Sequence, residues 1–595
     1  MIKVSDYIIQ RLFDKYGVRH VFMVTGGGAM HLNDAIAKCD QMEYVCNHHE
    51  QACAIAAEGY ARSTGKMGVV NVTTGPGGLN TLTGVLGQWT DSVPVLYISG
   101  QVKQETTITH YPDIQLRQLG DQEVDIISIV KPITKFAEQI TYIKNVKYLL
   151  DKAVYFANEG RPGPVWIDVP MDIQGAMMDE NEQNEFIIPD KAKKNIDITG
   201  VEELLQNAER PLIVAGSGIK ISGAKTAFLK FVEKIKIPVA TTHNGVEIFP
   251  TEHPLFVGRI GTLGSRSGNF ALQNADVVLT IGTRNNIRQV SYNWDNFVRE
   301  GKLIVVDIDE HELRKPTINP ALAICADAKE FICRLNETNI RKDWEKWIEW
   351  CRERKKKYPV VLPEYKECKK GVQPYYFIDR LTKNLSEESI VVAGNGSASV
   401  TLFQASNVKF GQQYIWNSGC AAMGYDLSAA IGASIGNPRK TIVCVAGDGS
   451  LMMNIQELAT MAHHKLPIKL IILNNQGYIS IKQTQDGFFN GNHIGCGTDS
   501  GISFPNFQET AHAFGLKSMC IDSHDEIDAK IQTLFKYSEP IVCEVKLNIE
   551  YKFLPKTSSE KKSDGRMISK PLEDLFPFLP REEFLENMIV APLKE

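Results

Sequence analysis

Two short segments have the residue types to hold a hard cation and a phosphate. Gly447-Asp448-Gly449 closes one apolar run, and Asn474-Asn475 closes the next after 24 intervening residues. If those runs are neighbouring strands, Asp448 and Asn475 emerge at one sheet edge. A carboxylate and an amide oxygen there suit a hard divalent cation, which takes oxygen ligands and shares them with phosphates. Gly449 leaves room for a diphosphate against the following helix. Gly-Asp-Gly by itself is also an ordinary strand-to-helix turn, and the doubled Asn at the next strand end is what lifts it above that reading.

Glu50 is the second candidate. It opens His49-Glu50-Gln51-Ala52-Cys53-Ala54-Ile55-Ala56-Ala57, an Ala-rich stretch of helical character. A carboxylate there should be desolvated, as a proton-relay group requires. The plain alternative is a first-turn Glu that interacts with the helix dipole. The same stretch fails the HExxH pattern of zinc peptidases because position 53 is Cys.

The elements that must position these groups alternate short β-branched runs with longer amphipathic stretches. Val69-Val70-Asn71-Val72, Leu212-Ile213-Val214-Ala215, Val277-Val278-Leu279-Thr280-Ile281, Ile390-Val391-Val392-Ala393 and Ile468-Lys469-Leu470-Ile471-Ile472-Leu473 are examples. Continuous apolar strands separated by helices predict parallel sheets covered on both faces. Several end near Gly, as at Gly75, Gly216, Gly282, Gly394 and Gly447, where ligands approach in open α/β sheets. The expected fold class is α/β, with three doubly wound parallel-sheet domains at about 1–180, 190–345 and 370–550. The polar run Asp179–Glu185 and the charged segment from Arg352 to about Gln373 read as linkers between them. Residues 551–595 read as a tail or lid: Lys556–Asp564 is charged and expected to be mobile, and the apolar Pro571–Leu579 is expected to dock back on the body. No internal repeat is visible.

A formal net charge of −5 argues against a nucleic-acid surface spread over the protein. No apolar run reaches the roughly 18 residues of a membrane span, and the amino terminus lacks the apolar core of a signal peptide. Twelve cysteines without a CxxC pair read as reduced thiols. A cytoplasmic location is expected.

The Gly447–Gly449 and Asn474-Asn475 pattern resembles the cofactor signature of thiamine-diphosphate (ThDP) enzymes, over nearly the whole chain and nearest to the acetolactate synthase group. The resemblance implies pyrimidine-binding, central and diphosphate-binding domains in that order. It implies that Asp448, Asn475 and the Gly477 carbonyl hold Mg²⁺. Gly449 and Ser450, together with Asn395, Gly396 and Ser397 in the loop after Ala393, would line the diphosphate. Met423 would wedge the cofactor into its bent shape, and the Ala421 carbonyl would accept the 4′-amino group. Glu50 would hydrogen-bond the aminopyrimidine and favour the imino tautomer that removes the thiazolium proton. Gly28, in Gly26-Gly27-Gly28, would face the reacting carbons, and Gln122 would lie near the substrate oxygen, where an amide can stabilise developing negative charge. Glu50 and the Asp448 site would come from different chains, so a homodimer or homotetramer is expected. The central glycines at 216, 218 and 282 permit FAD, and an empty relic of such a site is equally consistent with them.

The chain departs from acetolactate synthases at two pocket positions. Thr484 stands where that group has Trp, and Asp121 stands where it has Phe. Small polar residues in place of aromatic walls favour a larger, hydroxylated acceptor. In this the chain is similar to carboligases of branched-sugar pathways, which join the two-carbon unit of a 2-keto acid to a nucleotide-linked keto-sugar. The leading expectation is therefore decarboxylation of a 2-keto acid, pyruvate foremost, and ligation to such an acceptor. Acetolactate synthase activity proper, a decarboxylase without ligation and a silent nucleotide-binding protein are the rivals.

Overall fold

A computed structural model describes residues 1–190, 195–561 and 566–593. It contains three six-stranded sheets, all parallel, each sandwiched by helices. In spatial order the first holds Glu43–Cys46, His20–Met23, Gly68–Val72, Val95–Gln101, Val165–Pro170 and Phe136–Gln139. The second holds Phe256–Arg259, Val239–Thr241, Pro211–Ala215, Val277–Ile281, Lys302–Asp307 and Leu322–Cys325. The third holds Gln413–Ile415, Ile390–Ala393, Ile442–Gly447, Lys469–Asn474, Ile541–Lys546 and Lys517–Ile521. The central strands Val95–Gln101 and Ile442–Gly447 are buried at every position, which is why Val95–Ile98 and Ile442–Ala446 read as continuous apolar runs.

Counted in chain order, the first and third sheets share the strand order 2-1-3-4-6-5, and the second has 3-2-1-4-5-6. The first and third units thus repeat one topology, although no repeat is visible in their residues. Pairing geometry demands only apolar strands and right-handed crossovers, so the identities were free to diverge. In each sheet the order reverses beside the first strand, and ligands bind in the crevice at such a switch point.

The first and third units pack through two small-residue helices, Glu50–Thr64 and Tyr425–Gly436, and share one hydrophobic core. The helices touch backbone to backbone. A Cβ on Gly59 would lie 2.0 Å from the Ala429 carbonyl oxygen, and one on Gly432 would lie 1.8 Å from that of Ala56. The same face buries a polar cluster. Glu58 Oε1 accepts from Arg62 Nε at 2.8 Å and from Tyr425 Oη at 3.0 Å, and Arg62 reaches Asp91 at 3.0 Å. Burial pushes the Glu58 carboxyl up, against the pull of Arg62. Gly59→Ala should force the two helices apart and cost about 1–3 kcal/mol or more; thermal unfolding of the variant measures this, and an unchanged midpoint would contradict the contact.

One linker expectation and one tail expectation change. Arg352–Lys357 forms the last turns of a helix, Glu345–Lys357, whose Trp347, Ile348 and Cys351 enter the central core. Its basic end complements the helix dipole, so the charge run marks a helix terminus rather than a free connector. Lys556–Lys561 is likewise not a loose segment: Ser559–Lys561 pairs antiparallel with Met567–Ser569. Residues 562–564 of that stretch lie outside the described residues.

The rest of the tail docks on the central unit, as the apolar run implied. Leu572 joins the central core. Glu573 pairs with Arg299 at 2.7 Å, both almost fully enclosed, and Asn274 binds the Asn587 carbonyl at 2.9 Å. Among the described residues no helix is long and apolar enough to cross a membrane.

Candidate active site

The switch point of the third sheet lies between Ile390–Ala393 and Ile442–Gly447, and the loops that follow these two strands are Gly394-Asn395-Gly396-Ser397 and Asp448-Gly449. Asp448 is buried there. Its Oδ1 accepts from the Gly449 N–H at 2.7 Å, and its Oδ2 accepts from Asn475 N at 3.0 Å and Gly477 N at 3.1 Å. Burial pushes its carboxyl up to about 6, partly offset by these N–H groups. A buried carboxylate with no cationic partner is a group that a divalent ion would stabilise. Asn475 adds a second oxygen: its Nδ2 donates to Ser397 Oγ at 3.1 Å, while its Oδ1 is buried without a hydrogen-bond partner among the described residues. One carboxylate with amide and carbonyl oxygens is the sparse donor set that Mg²⁺ shares with phosphates. These residues fit the ion.

The loops around this centre are held closely. A Cβ on Gly449 would fall 2.0 Å from the Tyr478 ring. Gly396 has φ +71°, a conformation that glycine adopts without strain. Ser450 donates to Asp426 Oδ2 at 2.5 Å and accepts from Gly424 N at 3.0 Å. Its hydroxyl proton is therefore committed, and Ser450 could serve a diphosphate only through its backbone. Asn395 Nδ2 donates to the Ala422 carbonyl at 2.8 Å, which ties the Gly394–Ser397 loop to the turn carrying Ala421 and Met423. Ala421 sits at φ +56° and is exposed, and Met423 is half-buried. A left-handed Ala costs about 1–3 kcal/mol and persists only where the surroundings impose it, often at functional sites. Here the Asn417 side chain accepts from Cys420 N and Ala421 N at 3.0 and 3.3 Å.

The switch point of the first sheet gathers the other half. Gly28 N donates to Thr73 Oγ1 at 3.1 Å. Asn80 Nδ2 donates to Glu50 Oε2 at 3.0 Å, and Asn80 N reaches back to the Pro76 carbonyl at 2.9 Å. A Cβ on Gly75 would meet the Gln122 carbonyl at 2.0 Å, and Gln122 itself has φ +61°. Gly28, Glu50 and Gln122 therefore cluster on one set of loops. The cluster is open: Glu50 is half-buried, and Asp121 and Gln122 are exposed. Glu50 is thus not desolvated within a single chain. Among the described residues no hydrogen bond joins this half to Asp448, Asn475 or Ser397. Thr484 is exposed on the helix Ile479–Phe489, its hydroxyl turned back to the Ser480 carbonyl at 2.9 Å. The single chain does not bring Thr484 and Asp121 together by any such bond.

Three supporting residues escaped the reading from sequence. Glu123 accepts from Ile108, Leu119 and Gly120 N–H groups at 2.5, 3.0 and 3.2 Å and so organises the loop that presents Gln122. Asp426 is buried, with its carboxyl pushed up to about 6 by burial, and anchors Ser450. A lone carboxylate in the apolar run Gly424–Gly436 was the available signal for it. Tyr551 donates to Ser397 at 2.6 Å from beyond the last strand, where no pattern marks it.

The central sheet has its own crevice at the switch point, a cavity of about 290 Å³ lined by Ser217, Gly218, Gly282, Arg288 and Asp307. Burial lowers the Arg288 guanidinium and raises the Asp307 carboxyl, and among the described residues Arg288 has no ion-pair partner. Both ring nitrogens of His243 and Oδ1 of Asn244 are buried there and, among the described residues, find no partner beyond a marginal contact with each other. Glycine-lined loops, a free cation and orphaned polar atoms fit a dinucleotide such as FAD.

Comparison with known proteins covers all three units of the chain. Family models described as the N-terminal TPP binding domain, the central domain and the C-terminal TPP binding domain of thiamine pyrophosphate enzymes match residues 2–125, 198–335 and 394–545. The chain is 32% identical over 568 residues to the acetolactate synthase large subunit of Lactococcus lactis subsp. lactis, covering 94% of this chain and 95% of that one. It is 31% identical over 562 residues to acetolactate synthase 2, chloroplastic, of Nicotiana tabacum, covering 91% and 82%. It is 30% identical over 562 residues to acetolactate synthase, chloroplastic, of Arabidopsis thaliana, covering 91% and 81%.

Proposed function

The chain belongs to the thiamine pyrophosphate enzymes, as a ThDP- and Mg²⁺-dependent carboligase of the acetolactate synthase kind, and on that premise we propose that it decarboxylates pyruvate and transfers the two-carbon unit to a nucleotide-linked keto-sugar. Residues 1–180 would bind the pyrimidine, 370–550 the diphosphate, and 190–345 a structural FAD in the central cavity. When bound, ThDP supplies the carbanion chemistry of decarboxylation and ligation. The protein supplies binding, orientation and proton control.

Asp448, Asn475 and the Gly477 carbonyl would hold Mg²⁺, and the loops at Asn395–Ser397 and Gly449 would take the diphosphate. Met423 and the Ala421 carbonyl would fix the pyrimidine. Glu50 would carry the proton at the pyrimidine ring, while Gly28 and Gln122 would face the substrate. The open face of Glu50 supports a homodimer or homotetramer in which a second copy supplies the diphosphate half. Leu79, Leu86 and Trp89 lie exposed on the two helices that follow the Thr73–Gly75 turn, and large apolar side chains beside a polar site are what a subunit contact covers.

The observation that carries the keto-sugar acceptor is the pair Thr484 and Asp121, small and exposed where the resemblance calls for aromatic walls. Acetolactate synthase activity, with a second 2-keto acid as acceptor, is the other reading, favoured by the full-length relatives. An acceptor screen by mass spectrometry separates them, and Thr484→Trp sharpens it. The added indole should fill the acceptor space and cut ligation to a keto-sugar at least about tenfold, while acetolactate formation from pyruvate persists or rises. An equal fall in both reactions would indicate general damage, and no change in either would remove Thr484 from the acceptor site.

A further inference from the structure

Two side chains of the diphosphate half have an orientation that a metal–phosphate site must settle. An Asn amide offers oxygen in one flip and a pair of N–H donors in the other, and a Ser hydroxyl can turn its proton several ways. In this protein both are settled from one side. Ser397 Oγ accepts from Tyr551 Oη at 2.6 Å and from Asn475 Nδ2 at 3.1 Å. A hydroxyl oxygen has two acceptor positions, so both are filled and the proton of Ser397 is free for another acceptor. The Asn475 nitrogen faces Ser397 and Tyr551, which leaves its oxygen buried and, among the described residues, unpartnered.

Tyr551 is placed for this by the segment beyond the last strand of the third sheet. It is buried, its carbonyl accepts from Gln483 Nε2 at 3.0 Å, and its ring meets Phe553 edge-on at 5.7 Å. Gln483 lies on the helix that carries Thr484, so that helix and Tyr551 are tied together. Burial also keeps the phenol protonated, well above its usual range.

We propose that Tyr551 is a positioning residue for the cofactor site: by making Ser397 an acceptor, it leaves the oxygen rather than the nitrogen of Asn475 free for the cation and frees the Ser397 proton for a diphosphate oxygen. The proposal rests on the assignment of Mg²⁺ to Asp448 and Asn475. It is tested with Tyr551→Phe, which keeps the ring and its packing but removes the hydroxyl.

The measurement is titration of the full-length protein with Mn²⁺ in the presence of ThDP, together with melting of the metal-free protein. Loss of a group that orients a metal ligand typically weakens the metal about 10–100-fold. Tyr551→Phe should do so while the metal-free melting point stays near that of the wild type. Ser397→Ala should weaken Mn²⁺ similarly, and the double variant should be no worse than either, since the two act through one path. Unchanged Mn²⁺ affinity in Tyr551→Phe overturns the proposal. If that variant does not fold, unchanged affinity in Ser397→Ala overturns it equally. A wild-type protein that takes up no Mn²⁺ would remove the metal assignment itself, an outcome distinct from a variant that binds normally.

Discussion

Glu50→Gln is expected to retain ThDP and Mg²⁺ and to lose turnover by ~10²–10⁴-fold, the usual effect of removing a positioned acid–base group. Gln keeps the length and one carbonyl oxygen, so the contact from Asn80 can survive. What it loses is the ionisable proton. Asp448, Asn475 and Ser397, the proposed diphosphate half, lie on another sheet and share no hydrogen bond with Glu50 among the described residues, so cofactor retention should be unaffected. Single-turnover decarboxylation, with bound ThDP counted in the same sample, separates chemistry from binding. Near-normal turnover would return Glu50 to the simple role of a first-turn carboxylate at a helix dipole.

Asp448→Asn should fail for the opposite reason. Three backbone N–H groups converge on the two oxygens of Asp448. An amide turns one of those oxygens into a donor and removes the charge the cation needs. A ligand that binds only the folded state stabilises it by about 2.7 kcal/mol at a hundredfold excess over its Kd, and the variant should lose that increment. The metal-free fold also loses a partner for at least one N–H, about 1–3 kcal/mol, so the telling quantity is the melting shift produced by ThDP and Mg²⁺. A wild-type shift in Asp448→Asn would remove the residue from the metal site. Mixing the two dead variants adds a test of the subunit arrangement. If each site takes Glu50 from one copy and Asp448 from the other, a refolded equal mixture should regain roughly a quarter of wild-type activity, since half the dimers are mixed and each of these has one intact site. No recovery would place both residues in one chain's site.

The spacing of Asp448 and Asn475 was informative because strand ends in a parallel sheet share one edge. Once two apolar runs are recognised as neighbours, the residues just beyond each of them must lie side by side. The same logic marked the strand ends at Gly75 and Gly394, whereas Gly26–Gly28 came from the family resemblance. Tyr551 and Glu123 were invisible for the converse reason. Each acts across a fold-dependent contact, Tyr551 from an irregular segment and Glu123 from inside a loop, and neither follows a period. Arg352–Lys357 misled because a charge run is equally the end of a helix and a connector, and only its buried Trp347, Ile348 and Cys351 distinguish the two. The shared strand order of the first and third sheets left no trace in the residues, since topology constrains hydropathy and turns rather than identity.

The docking of the tail bears on how the molecule is made. Leu572 and Glu573 complete the core and the Arg299 pair of a unit whose own strands end at Cys325. Chains emerge from the ribosome amino end first, and domains usually fold as they emerge. Here the middle unit lacks the partner of Arg299 and one side chain of its core until residues 572 and 573 have been made. The whole diphosphate-binding unit is synthesised before then. A chain cut short before residue 572 would therefore carry its defect in its middle, about 270 residues upstream of the cut.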